Sequence, residues 1–126
     1  MPARTSETIE DVRILLATTL AASLLLAGCR SVPPPTPLDQ LNAAQTHGYQ
    51  VFQARCAQCH HDRDSDPLHG PGLAGMYRKK YLPSGAPSND ERVLNTMMHG
   101  RNNMPAVGQQ MDDLETSDLL AYLHTL

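Results

Sequence analysis

Apolar positions recur at spacings of three and four in three stretches of the chain, and each stretch predicts an amphipathic helix. Leu41, Ala44, Gly48 and Phe52 share one face of a first helix that leads into Cys56. Glycine inside a helix costs about 1 kcal/mol relative to alanine, so Gly48 on that face implies a close approach by another backbone or a ring. A second helix is announced by Ser88-Asn89-Asp90-Glu91, a capping box, and carries Val93, Leu94, Met97 and Met98 before Gly100 closes it. A third opens at Asp112 with Glu115 three residues on, then carries Leu119, Leu120, Tyr122, Leu123 and Leu126 to the last residue. No run alternates with period two long enough to argue for a sheet, and "HGPGLAG" and "YLPSGAPS" read as loops punctuated by Gly and Pro. The pattern predicts an all-α domain.

Ahead of the helices the pattern changes twice. From Ile14 to Gly28 runs "ILLATTLAASLLLAG", a fifteen-residue apolar stretch that is short for a membrane span and suited to the hydrophobic part of an export signal. It ends in Leu26-Ala27-Gly28-Cys29, which resembles the lipobox of bacterial lipoproteins. That resemblance implies a signal over residues 1–28 and a mature protein beginning at a lipidated Cys29, anchored to a membrane on the periplasmic side of a bacterial cell envelope. The alternative, a buried Cys29 in a core helix, conflicts with Pro33-Pro34-Pro35, which cannot continue a helix. Four prolines between Pro33 and Pro37 favour extended polyproline, so residues 29–37 read as a tether with a reach of roughly 20 to 25 Å. The folded domain is expected over residues 38–126. Met1 to Arg13 is unusually acidic for an export signal, with Glu7, Glu10 and Asp11, and initiation at Val12 would remove that anomaly.

Composition changes the picture inside the domain. The 126-residue chain is 4% aromatic, with one Phe and no Trp, so its own side chains make a thin core and something else is expected to fill the middle. The formal net charge is −3 with acids and bases interspersed, which gives no basic footprint for nucleic acid.

The segment "RCAQCHHD" is the candidate for that filling. Cys56-Ala57-Gln58-Cys59-His60 matches the attachment sequence of c-type haem, in which two thiols add across the vinyl groups and the adjacent histidine reaches the iron. A zinc site could instead use Cys56, Cys59 and two of His60, His61 and His69, although structural zinc usually gathers two separated ligand pairs. A thioredoxin-like site would need a strand and helix pattern that is not visible. With Cys29 assigned to lipid and Cys56 and Cys59 to haem, no cysteine remains for a disulfide. Export and haem attachment support each other, since covalent attachment takes place outside the inner membrane.

Together these residues give residues 38–126 a resemblance to a small class I cytochrome c. "GYQVFQARCAQCH" has the family's glycine and aromatic at Gly48 and Phe52, and "DLLAYLHTL" looks like its C-terminal helix with Tyr122 in the aromatic position. The resemblance implies the cytochrome c fold, three to four short helices wrapped around one covalently attached haem c, with the terminal helices crossing at Gly48. The loop Gly70-Pro71-Gly72-Leu73 resembles the stretch whose proline carbonyl accepts the second ring N–H of the haem histidine, which implies that Pro71 orients His60. "RNNMPAVG" resembles the distal-ligand loop: Met104 precedes Pro105, which favours an extended residue between helices. Met104 is therefore the expected second iron ligand. Met97 and Met98 read as core residues of the second helix, Met111 as a staple before Asp112, and Met76 as a further thioether.

The other polar residues receive bland readings. His99 fits the end of a helix dipole better than a second imidazole ligand, and His47, His61, His69 and His124 read as surface side chains. Asp62, Asp64 and Asp66 read as a solvated loop, with Ca²⁺ as the alternative, and Arg78-Lys79-Lys80 as a solvated face, a docking edge or a partner for haem propionates. Two protein ligands leave no vacant iron position, so the expectation is a lipid-anchored electron carrier with a redox-protein donor and acceptor, monomeric unless it is a complex subunit. The alternatives are a gas sensor or weak peroxidase with a labile Met104, and a fixed electron-transfer subunit of a larger dehydrogenase.

Overall fold

The computed structural model describes residues 32–126 together with Arg13; the expected signal and Cys29 lie outside the described residues. Three α-helices stand where the apolar pattern expects them: α1 (Ala43–Arg55), α2 (Asp90–His99) and α3 (Asp113–Leu123). Single 3-10 turns at Leu38–Gln40, Met76–Arg78 and Val107–Gln110 shape the connections. Among the described residues there is no strand, only isolated bridges between Tyr81 and Pro87 and between Arg101 and Met104. No described helix is long and apolar enough to cross a membrane.

The helix starts follow side-chain chemistry. Asp112 and Glu115 form the expected reciprocal cap of α3, and Asn42 and Gln45 form another at α1 that the apolar pattern does not announce. At α2 the expected box is displaced by one residue. Asn89, not Ser88, caps the helix by accepting from the Arg92 N–H at 3.0 Å, because the Ser88 hydroxyl is taken by the Met76 carbonyl at 2.7 Å. α3 also stops earlier than expected. Thr125 and Leu126 turn in i to i+3 fashion, their N–H groups on the Tyr122 and Leu123 carbonyls, and this tucks Leu126 fully into the core.

α1 and α3 pack against each other at Gly48. A Cβ there would run into the Asp118 carbonyl and the Tyr122 side chain, so the close approach expected from the sequence is that of α3's backbone. Tyr122 is buried beside Phe52 and Tyr49, their ring centroids 6.0 and 5.4 Å away. Val51, Leu119, Leu123, Val93, Met97 and Met76 complete the buried apolar set among the described residues.

The proline segment is extended, with Pro37 at φ −52° and ψ 143°, but it lies on the domain and is no free spacer. Arg63 Nη2 donates to the Pro35 and Thr36 carbonyls at 3.2 and 2.7 Å, and Arg78 Nη1 to the Pro33 carbonyl at 3.2 Å. The Thr36 N–H donates to the Thr125 carbonyl at 2.8 Å, and Val32 packs over Gly75. Extended polyproline makes no internal hydrogen bonds, so its carbonyls are available to these guanidinium groups. The compact unit accordingly runs from Val32 to Leu126.

Candidate functional site

The end of α1 delivers the two thiols. Cys56 is its C-cap, its N–H on the Phe52 carbonyl, and the Cys59 and His60 N–H groups both return to the Cys56 carbonyl at 3.0 Å. This tight turn sets Cys56, Cys59 and His60 along one wall of a cavity of about 830 Å³. That volume lies in the range of cofactor sites. Burial pushes the Cys56 thiol up to about 11, against the lowering effect of the neighbouring Arg55 charge, so the thiol is neutral at pH 7. Among the described residues no three His, Cys, Asp or Glu side chains converge on a point, which leaves the zinc reading without a site.

His60 is fixed from behind. Its Nδ1 donates to the Pro71 carbonyl at 2.8 Å, which leaves Nε2 without that proton and available as a ligand. Gly70 makes room for the ring, because a Cβ there would collide with its Cε1. The Gly70 N–H in turn bonds the Cys59 carbonyl at 2.7 Å, tying the loop to the cysteine turn. The sequence places Gly70 at the head of the Gly70-Pro71-Gly72-Leu73 loop without a role of its own; its position beside Pro71 is the available signal.

Among the described residues, three methionines line the cavity: Met76, Met97 and Met104. Met76 and Met97 are buried in the apolar core, at 8% and 4% exposure, whereas Met104 comes from a loop. Arg101 and Met104 exchange two backbone hydrogen bonds at 2.9 and 3.0 Å, closing a turn with Asn102 at φ +52°. Gly100 at φ +71° starts that turn, and its missing Cβ leaves space for the Met104 carbonyl. Met98 and Met111 are not among the lining residues, and neither is His99, whose Nδ1 donates to the Asn95 carbonyl of its own helix. His69 stands at the rim, and Thr96, Arg101, Asn102 and Asn103 supply polar groups to the same cavity.

Several surface readings give way to specific contacts. Asp62 accepts from the Tyr122 hydroxyl at 2.5 Å, anchoring the loop after His60 to α3. Burial first, then Asp62, pushes the Tyr122 hydroxyl above its ordinary range. His47 is bonded to Asp118 at 2.7 Å, and His124 to Asp90 at 2.8 Å while it stacks on Tyr77. Asp64 and Asp66 remain exposed.

Two thiols, an imidazole with one free nitrogen, a thioether and a largely apolar hollow fit a haem attached through both cysteines. Residues 43–123 match the family described as cytochrome c oxidase, cbb3-type, subunit III. The chain is 32% identical over 91 residues to cytochrome c6 of Picosynechococcus sp., covering 70% of this chain and 76% of that protein. It is also 32% identical over 77 residues to the cytochrome bc1 complex cytochrome c subunit of Mycobacterium tuberculosis, covering 60% of this chain but 25% of that longer protein. Cytochrome c6 of Diacronema lutheri is 26% identical over 77 residues, 89% of its length.

Proposed function

Because the chain belongs to the cytochrome c family described as cytochrome c oxidase, cbb3-type, subunit III, we propose that it is a lipid-anchored electron carrier of the bacterial envelope. Membership makes it an electron-transfer cytochrome with one haem c, bound covalently through Cys56 and Cys59. In the reading put forward here, His60 through Nε2 and Met104 through its sulfur are the iron's two protein ligands, and Pro71 holds the His60 ring. The observation that carries this ligand set is the single cavity lined by Cys56, Cys59, His60 and Met104 together.

The bound group supplies an Fe(III)/Fe(II) couple. The residues do the rest: Pro71 keeps the proton on Nδ1, the Arg101 turn holds Met104 in its loop, and Phe52, Leu119 and Leu123 keep water from the cavity wall. A thioether ligand and burial both raise the potential. That suits a carrier taking electrons from a dehydrogenase or quinol-oxidising donor and passing them to a terminal acceptor. Acylation at Cys29 would hold it to the membrane on the periplasmic side.

A pyridine haemochrome spectrum together with the intact mass of membrane-extracted protein tests the reading. The expected result is thioether-linked haem on a chain that begins at acylated Cys29, with haem released by acid extraction from the Cys56→Ser, Cys59→Ser double variant. Haem that stayed covalently bound in that variant would reject the attachment. A fixed-subunit role is the second reading, favoured by the bc1 complex subunit among the relatives. Co-purification with a larger complex after gentle detergent extraction would select it.

A further inference from the structure

We infer that the edge formed by Arg78, Lys79, Lys80 and Tyr81 docks on the headgroups of an anionic lipid bilayer. The inference rests on the proposed acylation of Cys29, and three observations carry it. First, the chain leaves the domain at this edge: Val32 lies over Gly75, and the Pro33 carbonyl accepts from Arg78. Because the proline segment is strapped to the domain from Val32 onward, Cys29 is only three residues along the chain from a fixed point of this edge. Three residues span at most about 11 Å. An acyl chain on Cys29 therefore brings the bilayer surface within reach of residues 78–81, where a free nine-residue tether would have kept it away.

Second, among the described residues the charge of that edge is uncompensated. Arg78, Lys79 and Lys80 are exposed, and no carboxylate among the described residues lies within ion-pair distance of them. In the sequence, Arg30 adds a further cation next to Cys29. Basic groups beside a lipid anchor are attracted to phosphate headgroups over about a Debye length. Third, Tyr81 stands 52% exposed with the Lys80 ammonium 5.4 Å from its ring centroid. An exposed amphipathic ring paired with a cation fits the interfacial layer of a membrane.

The consequence reaches the cavity. Tyr81 opens a tight loop in which the Leu82 N–H bonds the Ala86 carbonyl at 2.8 Å, and Leu82, Pro83 and Ser84 line the cavity wall. Docking of residues 78–81 would thus orient the site relative to the bilayer, presenting it at a fixed angle to a partner embedded in the same membrane.

The test uses haem-loaded acylated protein on vesicles of phosphatidylcholine, with and without phosphatidylglycerol, followed by amide hydrogen exchange. Exchange at residues 78–82 should slow on the phosphatidylglycerol vesicles, and added salt should reverse the slowing. In parallel, Cys29→Ser protein exported behind a signal cleaved without acylation should bind phosphatidylglycerol vesicles weakly. Lys79→Gln and Lys80→Gln should each loosen that binding about five-fold. Both lysines are exposed, so an unchanged visible spectrum will verify folding. Equal exchange on the two vesicle types, or indifference of the Cys29→Ser protein to phosphatidylglycerol, would overturn the inference and leave the edge to an acidic protein partner. Intact mass reports acylation separately, so an unmodified Cys29 would defeat the anchoring reading without being confused with failure of the basic edge.

Discussion

The Nδ1 atom of His60 donates to the Pro71 carbonyl across 2.8 Å, and the residue before that proline, Gly70, presents a bare Cα to the same ring. A hydrogen bond from Nδ1 makes the opposite nitrogen a stronger donor, which favours Fe(III). Gly70→Ala would push the ring off this bond. The expected outcome is a rise in midpoint potential with haem still covalently attached, read by spectroelectrochemical titration. An unchanged potential would show that the loop absorbs the methyl group and that the hydrogen bond survives.

Gly48 offers a test with an inverted sign. In an ordinary exposed helix Gly→Ala stabilises by about 1 kcal/mol. Here a Cβ meets the Asp118 carbonyl and Tyr122, so Gly48→Ala should destabilise the haem protein by about 1 to 3 kcal/mol through overpacking. Guanidinium denaturation followed in the far ultraviolet decides it, and a stabilised variant would mean that α1 and α3 can separate at little cost.

The three helices were legible because their apolar spacing is regular, and Gly48 because a glycine on an apolar face demands a neighbour. The cysteine turn was legible because its chemistry is local, five consecutive residues from Cys56 to His60. Contacts across long separations were not. The sequence leaves Asp62 in an acidic run, and only the fold places Tyr122 over its carboxylate, 60 residues away. Ser88 is a good helix cap by type, and its loss to Asn89 follows from the Met76 carbonyl lying nearby. The proline run announced its extended shape, but Arg63 and Arg78, which bind it down, lie 27 to 45 residues further along.

Tyr122→Phe should cost about 1.5 to 3 kcal/mol, the value of a hydrogen bond to a charged group. The bond also predicts a pH window. The hydroxyl's ordinary value is 10.0 and the fold raises it, so the stability it contributes is complete below pH 10 and is lost as pH climbs further. The difference in unfolding free energy between wild type and Tyr122→Phe should shrink above pH 10. A difference that stayed constant to strongly alkaline pH would mean that Asp62 does not hold the hydroxyl proton.

Without haem the domain should be molten. Among the described residues, nine buried hydrophobic side chains, one Phe among them, pack around a cavity of about 830 Å³. An apolar hollow of that size forfeits contacts along its whole lining, and a chain this small has little stability to spare. The haem-free protein should keep part of its helical signal, bind a hydrophobic dye and melt without a sharp transition. A cooperative melt at high temperature would show that the helices close over the cavity unaided.

Met104 is distinguished from the other two cavity methionines by its backbone. Met76 and Met97 belong to the packed core, while the doubly bonded turn from Arg101 and the following Pro105 hold Met104 in an exposed loop at the cavity mouth. As a ligand, its sulfur should give the ferric protein a weak charge-transfer band at the red edge of the visible. Met104→Ala should abolish that band and admit added cyanide or imidazole, with attachment at Cys56 and Cys59 intact. Met104→His should restore six ligands but lower the potential, because imidazole stabilises Fe(III) more than a thioether does. Met97→Ala should cost about 2 to 5 kcal/mol of stability by leaving a void, yet keep the band. If the band vanished in Met97→Ala and persisted in Met104→Ala, the ligand would be on α2 and the turn from Arg101 would have only a structural role.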